Sequence, residues 1–219
     1  MSHRPHPAYR LPLATAHGGG RFPGFDVLDQ SRHWDETTTS VVYARLGPQP
    51  AIRFFTQVEE AIAGALFDQL LDQREEPRVP VVAMVDARLA EDQTDGWHYD
   101  GMPQDHLIWR QSLAWLDEDA ERVVQSPFAG AEWKHQAAVL DAVQRLGDED
   151  WHGMVAARVW SLCTRYACTA FYSHPWAWNE IGFDGPAYPR GYKNMGVDRL
   201  EPFEVPDARP TDYVRGWTS

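Results

Sequence analysis

Apolar residues recur at helical spacing in the middle of the chain. Val58, Ile62 and Leu66 are separated by four residues each, which places them on one face of an α-helix. Thr56 and Glu59 precede this run and form the T-x-x-E pattern of a capping box, in which each residue satisfies a backbone N–H of the other. The pattern predicts that the first helix begins at Thr56.

The same periodicity predicts four further helices. They are expected on Val82–Leu89 after Pro80, from Asp105 to about Leu116, from about Ala131 to Leu146, and from about Asp150 to Tyr172. The last of these carries apolar residues on nearly every face, which is typical of a helix at the centre of a fold. We therefore predict an all-α protein with a domain of about five helices.

The two ends of the chain have a different composition. Residues 1–20 are rich in His, Pro and Gly and predict a flexible arm. From Ser173 onward there are six prolines and five glycines, so regular helix is not expected. Many aromatic residues in 171–205 nevertheless predict an ordered, extended segment that packs on its own helices or on another chain. We expect one helical domain over 21–205 and a tail over 206–219.

Charge and hydropathy narrow the class of protein. The 219 residues carry a net charge of −12, and the stretch 56–120 alone holds 15 Asp/Glu against 4 Lys/Arg. An acidic chain without a basic stripe is a poor candidate for binding nucleic acid or an anionic membrane. No run of 18 apolar residues exists, so membrane insertion is not expected. The first 20 residues lack an apolar signal region and no Arg-Arg pair occurs, which favours a cytoplasmic location.

The motifs of common enzyme sites are missing from the sequence. Gly18-Gly19-Gly20 lacks the strand and helix context of a dinucleotide-binding loop, so we expect no cofactor site and no catalytic residue in this chain. Cys163 and Cys168 lie five residues apart on one predicted helix, hence on different faces. Both are expected to be buried thiols without a mutual disulfide.

One pattern suggests a metal centre. Glu132-x-x-His135 and Glu149-x-x-His152 are two Glu-x-x-His pairs on two predicted helices, as in helical di-metal oxidoreductases. A metal-dependent helical oxidoreductase is therefore an alternative hypothesis. Against it, Glu149 lies at the expected start of its helix, where acidic residues usually serve as caps.

Two other polar groups allow two interpretations each. A loop cluster could bind a cation or be a solvated acidic loop; its members are Asp95, His98, Asp100, Asp105 and His106. Arg158 and Arg165 lie seven residues apart on one helical stripe. They could form ion pairs with carboxylates of this chain or meet a partner or substrate.

The segment that follows the last predicted helix carries a family resemblance. Phe171–Phe183 reads FYSHPWAWNEIGF and Gly185–Tyr192 reads GPAYPRGY. Together they resemble the C-terminal signature of the gluconate 2-dehydrogenase subunit 3 family. Phe22–Leu28 and Arg53–Thr56 are similar to actinobacterial-type members, and the resemblance extends over about Arg21–Val205.

The resemblance implies a non-catalytic, helical small subunit. Its partner would be a FAD-dependent large subunit of the glucose-methanol-choline oxidoreductase type, which holds the flavin and the catalytic histidine and oxidises a sugar, glycoside or cyclitol. A stand-alone binding or stress protein that keeps the family fold is a further alternative. Aromatic and arginine side chains are enriched at interface hot spots. We therefore expect partner-binding residues at Trp176, Trp178, Tyr188, Arg190 and Tyr192, with His174 and Asn179 as further candidates.

Overall fold

The computed structural model describes residues 22, 24–97, 99–194, 196–197 and 199–206. The predicted arm over 1–20, and the predicted tail except for its first residue, lie outside the described residues. The chain divides into two compact units. The central unit is Gln49–Phe171, and the terminal unit combines Met1–Pro48 with Tyr172–Ser219.

The described residues are mostly helical, which confirms the predicted all-α class. The α-helices are α1 (Glu36–Ala44), α2 (Gln57–Leu71), α3 (Val81–Ala90), α4 (Asp105–Val124), α5 (Trp133–Leu146), α6 (Ala156–Phe171) and α7 (Pro175–Ile181). In the part of the chain that the structure describes, 3-10 helices cover Val27–His33 and Phe128–Gly130. The strands β1 (Asp150–Trp151) and β2 (Met154–Val155) pair as one antiparallel hairpin.

The central unit packs α2 to α6 around one aromatic centre. Trp109 on α4 is completely buried. Its ring lies 5.5 Å from that of Phe67, 5.6 Å from that of Tyr166 and 6.3 Å from that of Phe55, measured between centroids. Tilted and edge-on ring pairs at these distances stabilise a core beyond the area that they bury. Helix α6 contacts α2, α3, α4 and α5, which agrees with its predicted place at the centre of the fold.

Two helix starts in the central unit show where a local sequence signal predicts the boundary correctly and where it does not. The predicted capping box is confirmed, since Thr56 Oγ1 accepts from the N–H of Glu59 at 3.3 Å and the Glu59 carboxylate accepts from the N–H of Thr56 at 2.8 Å. The start predicted at Asp150 is wrong, because His152 and Gly153 both adopt positive φ. Two successive positive φ values suit a tight hairpin turn. Helix α6 therefore begins only at Ala156.

The terminal unit has its own small core, and its described residues include α1 and α7, two α-helices that the sequence did not predict. Its core is formed by apolar side chains of the 3-10 helix, α1 and α7, with flanking residues: Val27, Leu28, Trp34, Val42 and Trp178. Helix α7 corrects the expectation of irregular structure after Ser173. Pro175 is its first residue, where the missing N–H costs no hydrogen bond.

The two cysteines differ in environment. Cys163 is buried, whereas Cys168 is exposed, so the prediction that both are buried is wrong for Cys168. Their five-residue spacing turns them to different sides of α6, and only one side faces the core of the central unit. Among the described helices, none is both long and apolar enough to cross a lipid bilayer.

Candidate functional site

The signature segment forms much of the terminal unit. His174 begins the segment as the N-terminal cap of α7, where its Nδ1 accepts from the N–H of Trp176 at 3.2 Å. Its Nε2 lies 3.0 Å from the carbonyl oxygen of Arg45, which can only accept. The two contacts together require a neutral imidazole that carries its proton on Nε2.

The electrostatic surroundings of His174 agree with this tautomer. Burial lowers the pKa of His174 to about 4, and the positive charge of the Arg45 guanidinium lowers it further. The hydrogen bond to the Arg45 carbonyl acts in the opposite direction and raises the pKa. The Arg45 guanidinium itself donates to the carbonyl of Ser173 at 2.5 Å. The histidine therefore joins the end of α1 to the start of α7 as an uncharged structural element.

Asn179 connects α7 to the 3-10 helix at Val27. Its Oδ1 accepts from the N–H of Val27 at 2.8 Å, between residues 152 positions apart in the sequence. The preceding residue, Asp26, caps the same 3-10 helix by accepting from the N–H of Leu28. Both Asn179 and Val27 are buried, so each satisfies a polar group that water does not reach.

Two glycines of the signature allow aromatic rings to approach the backbone. Gly182 and Gly185 have φ of 66° and 75°, in the left-handed region that glycine tolerates. A Cβ at Gly182 would lie 2.4 Å from the Phe22 ring, and one at Gly185 would lie 2.5 Å from the Trp34 ring. Glycine is thus required here both for backbone conformation and for space.

Arg190 holds the chain after α7 in place. Its guanidinium donates to Gln30 Oε1 at 2.8 Å and to the carbonyl oxygen of Asp184 at 3.1 Å, and it lies 3.5 Å from the centroid of the Phe203 ring. The carboxyl group of Asp184 is itself buried. Burial raises the pKa of Asp184 to about 6, although the Val205 N–H and the Arg190 charge oppose that rise.

The seven predicted partner-binding residues therefore fall into different environments. His174, Trp178 and Asn179 are buried within the terminal unit. The indole N–H of Trp178 donates to the carbonyl of Tyr172 at 2.6 Å. Tyr188 and Tyr192 are exposed, with 66% and 49% of their surface accessible. Trp176 is half-buried with its ring 4.9 Å from that of His174, and Arg190 makes the contacts described above.

The geometry that the metal hypothesis needs is not found in the described residues. Glu149 and His152 do not lie on a helix, because His152 occupies the hairpin turn. Its ring stacks on Trp115, and its Nε2 lies 3.3 Å from Asp119. Glu132 is exposed at the start of α5 and pairs with Lys134 at 2.9 Å. In the described part of the chain no three His, Cys, Asp or Glu side chains are grouped to hold a metal ion, and Glu132/His135 and Glu149/His152 do not converge.

The acidic loop and the arginine stripe meet within the central unit. Asp95 lies between Arg88 and Arg165 and forms an ion pair with each. Burial acts to raise the pKa of Asp95, but hydrogen bonds from the two guanidinium groups lower it overall. The ion-pair interpretation is thus confirmed for Arg165, whereas Arg158 donates to the backbone carbonyl of Asp100 at 2.6 Å instead of to a carboxylate.

Other members of the loop cluster are separated from Asp95. Asp105, where a helix was expected to begin, is the first residue of α4 and is buried. Its Oδ2 accepts from the hydroxyl of Tyr166 at 2.6 Å. Burial and this contact raise the pKa of Tyr166. His98 lies outside the described residues, so the structure does not test its part in the cluster.

One polar residue in the core was missed by the sequence interpretation. Asp86 on α3 is fully buried and accepts three backbone N–H bonds, from Arg53 at 2.7 Å, Phe54 at 2.9 Å and Phe55 at 2.8 Å. A single acidic residue between Val85 and Leu89 on an apolar helix face was the available signal. Its position on α3 fixes the segment that leads into α2.

Comparison with known proteins identifies the family to which this chain belongs. The model of the family described as gluconate 2-dehydrogenase subunit 3 matches residues 56–185, which is more than half of the chain. The match runs from the Thr56 cap to Gly185, next to the Trp34 ring. No curated protein and no solved structure matches the chain. The chain belongs to the gluconate 2-dehydrogenase subunit 3 family.

Proposed function

We propose that this chain is a non-catalytic small subunit that stabilises a FAD-dependent large subunit. The large subunit would be of the glucose-methanol-choline oxidoreductase type and would oxidise a sugar, glycoside or cyclitol. The observation that carries the proposal is the family match over residues 56–185, because the family is that of a dehydrogenase subunit. In this proposal the flavin and the catalytic groups belong to the partner, and the present chain supplies structure.

The buried titratable groups of the chain support a structural role. His174 accepts a hydrogen bond from the Trp176 N–H and donates one to the Arg45 carbonyl, and burial lowers its pKa. Burial raises the pKa of the Cys163 thiol to about 12, which disfavours the thiolate that a nucleophile requires. Groups that are enclosed and held in their neutral form suit packing better than proton or acyl transfer.

The exposed aromatic residues of the terminal unit support a partner surface. Tyr188 and Tyr192 follow α7, and the nearby Ile181 and Phe183 are exposed as well. Tyrosine offers a large contact area with a hydroxyl that can remain hydrated, which is why it is enriched at protein interfaces. We assign the partner contact to these exposed side chains, while His174, Trp178 and Asn179 hold the segment in shape.

Co-expression with a candidate large subunit, a FAD-dependent dehydrogenase of the proposed type from the same organism, tests the proposal. We expect the two chains to co-elute in size-exclusion chromatography, with flavin absorbance in the shared peak. The double variant Tyr188→Ala/Tyr192→Ala should weaken the complex by about 2 kcal/mol or more if both are anchors. The matched control is Trp97→Ala/Leu107→Ala, which removes two exposed apolar side chains from the central unit.

Two results would contradict the proposal. One is a large subunit that is equally stable and active without this chain. The other is separate elution of the two proteins at concentrations well above the expected dissociation constant, which would favour a stand-alone binding protein. A cytoplasmic location of the complex is part of the proposal, and cell fractionation with an antibody against this chain tests it.

A further inference from the structure

Two apolar grooves lie on either side of two turns of α4. These turns cover residues 117–123, and their exposed side chains include Glu118, Glu121 and Val123. We call residues 117–123 together with the two flanking grooves the α4 ridge. All of its members lie within the central unit.

The first groove, of about 410 Å³, runs between α2 and α4. Its apolar lining comes from Val58, Ile62 and Ala114. Val58 has 66% of its surface exposed although it lies on the first turn of α2. Glu118 and Glu121 form the acidic rim of this groove.

The second groove, of about 390 Å³, lies between α4, α5 and the hairpin. Small and aliphatic side chains line it, among them Val123, Ala138, Ala142 and Leu146. The small alanines on α5 leave room for another backbone to approach closely. A helix that packs by placing its side-chain ridge in a groove needs such room.

The polar end of the second groove is satisfied by its own contacts. Asp119 accepts from Trp151 Nε1 at 2.8 Å and from Arg122 at 2.8 Å. Arg122 is therefore engaged with Asp119, and in the first groove Arg110 is engaged with Glu59 at 2.6 Å. Arg110 and Arg122 are thus engaged. Glu121 is exposed and takes part in no ion pair among the described residues, and Glu118 is exposed, lies 4.0 Å from His152 Nδ1 and is in the field of the Arg122 charge.

The charge of the whole central unit strengthens this local imbalance. Residues 49–171 contain 21 Asp/Glu and 10 Lys/Arg, a net charge of −11, out of −12 for the whole chain. A surface of this sign attracts a basic partner and repels a second copy of itself. Apolar grooves beside exposed carboxylates are complementary to alternating aliphatic and cationic residues on one helix.

We propose that the α4 ridge binds a basic amphipathic helix of another protein chain. Aliphatic side chains of that helix would enter the two grooves, and its Lys or Arg residues would meet Glu118 and Glu121. This mode of recognition is the packing of an amphipathic helix into a groove, with charges that set the orientation. The inference concerns the central unit alone and does not rest on the proposed function.

A designed peptide provides a direct probe. It is a fluorescein-labelled helix of about 18 residues composed of Leu and Lys in an amphipathic pattern, long enough to form a helix on binding. We expect its fluorescence anisotropy to rise on titration with the full chain, and its affinity to fall as NaCl is added because the charges are screened. A peptide with Glu in place of every Lys should not bind.

Variants locate the binding. Glu118→Lys/Glu121→Lys should weaken peptide binding by about tenfold or more, because the rim becomes repulsive. Ala138→Gln/Ala142→Gln should weaken peptide binding because the longer side chains fill the second groove. This substitution changes neither the net charge nor the helical structure of α5. The control, Glu75→Lys/Asp100→Lys, changes the net charge equally at two exposed positions that line neither groove. It should leave the affinity within about threefold of the original.

Three outcomes would overturn the proposal. Absence of peptide binding at low salt is one, and an equal loss in both charge-reversal variants is another, since it would indicate attraction to the whole acidic unit. The third concerns the segment Met1–Arg21, which contains three arginines and no Asp or Glu. If a synthetic Met1–Arg21 peptide competes at the same concentration as the probe, the ridge is a site for the chain's own N-terminal segment. Circular dichroism of each variant confirms that the fold is kept.

Discussion

Asn179 Oδ1 accepts a hydrogen bond from the backbone N–H of Val27 at 2.8 Å, and both residues are buried. Val27 begins the 3-10 helix near the N-terminus, whereas Asn179 lies on α7 near the C-terminus. The bond joins two segments separated by the entire central unit in sequence. The terminal unit therefore forms only when both segments are present. Asn179, a residue of the family signature, stabilises the fold of its own chain.

Replacement of Asn179 by alanine should destabilise the terminal unit. The Val27 N–H would lose its acceptor in a site that water does not reach, which costs about 1–3 kcal/mol. We expect faster hydrogen exchange at the Val27 amide and a lower midpoint of denaturation. Asn194→Ala is the control, since the Asn194 side chain is exposed and should change stability by less than about 0.5 kcal/mol. Unchanged exchange at Val27 in Asn179→Ala would contradict the assigned role.

Alanine at Gly182 or Gly185 should be more damaging than alanine at other glycines with positive φ. Each substitution imposes a left-handed conformation on alanine, at a cost of about 1–2 kcal/mol. At these two positions the new methyl group also collides with the Phe22 or Trp34 ring. Overpacking of this kind adds about 1–3 kcal/mol. Chemical denaturation of the two variants measures the sum.

The matched controls for this prediction are Gly24→Ala and Gly191→Ala. Both glycines have positive φ, of 76° and 69°, but a Cβ on either would meet no atom within 4 Å. These control variants should lose only the stability that alanine loses in a left-handed conformation, about 1–2 kcal/mol. If all four variants lose the same stability, close approach of the rings contributes nothing, and the φ requirement alone accounts for these glycines.

Local sequence signals were sufficient to predict the five α-helices of the central unit, but only some of their ends. The Thr56 capping box and the expected helix end at Leu146 agree with the start of α2 and the end of α5 in the structure. Predictions of helix boundaries failed where the same residue type is compatible with two local structures. Proline can end a helix or begin one, and Pro175 begins α7. His152 is uncommon in a turn that usually takes Asn or Gly, so the hairpin before α6 left no clear pattern.

The sequence indicates which segment carries the candidate partner-binding residues, but not which of their side chains face inward. The density of aromatic residues in 171–205 predicts an ordered segment, and composition alone does not say which rings are buried. That choice depends on contacts with distant residues, such as Trp178 with the carbonyl of Tyr172 and Arg190 with Gln30. Asp86 was overlooked for the same reason, because its three N–H donors lie more than 30 residues away.

The stability of the protein should depend on pH through two buried groups of opposite effect. The pKa of His174 is about 4 in the folded chain against 6.5 for the free side chain, so its contribution is present above pH 6.5 and is lost as the pH falls toward 4. The full difference is on the order of 3 kcal/mol. The pKa of Asp184 is about 6 against 3.8, so its protonation stabilises the fold as the pH falls through 6.

Single substitutions separate the two effects. His174→Asn keeps an acceptor for the Trp176 N–H but removes the titrating group. The advantage of the original protein over this variant in unfolding free energy should therefore shrink as the pH falls from 6.5 to 4. For Asp184→Asn the advantage of the original protein should grow over the fall from 6 to 3.8. Urea denaturation across this pH range checks both signs, and parallel curves for both variants would contradict the assignments.

The two thiols should react at very different rates in the folded protein. Cys168 is exposed on α6, whereas Cys163 is buried and burial raises its pKa to about 12. Because the thiolate is the reactive species, an aromatic disulfide reagent should modify one thiol rapidly and the second only as the chain unfolds. Cys168→Ser should abolish the rapid phase, and Cys163→Ser should preserve it. Both thiols should react at once in denaturant, which verifies the total. Two rapid equivalents in the folded original protein would mean that the face of α6 carrying Cys163 is open to solvent, contrary to its position against the core of the central unit.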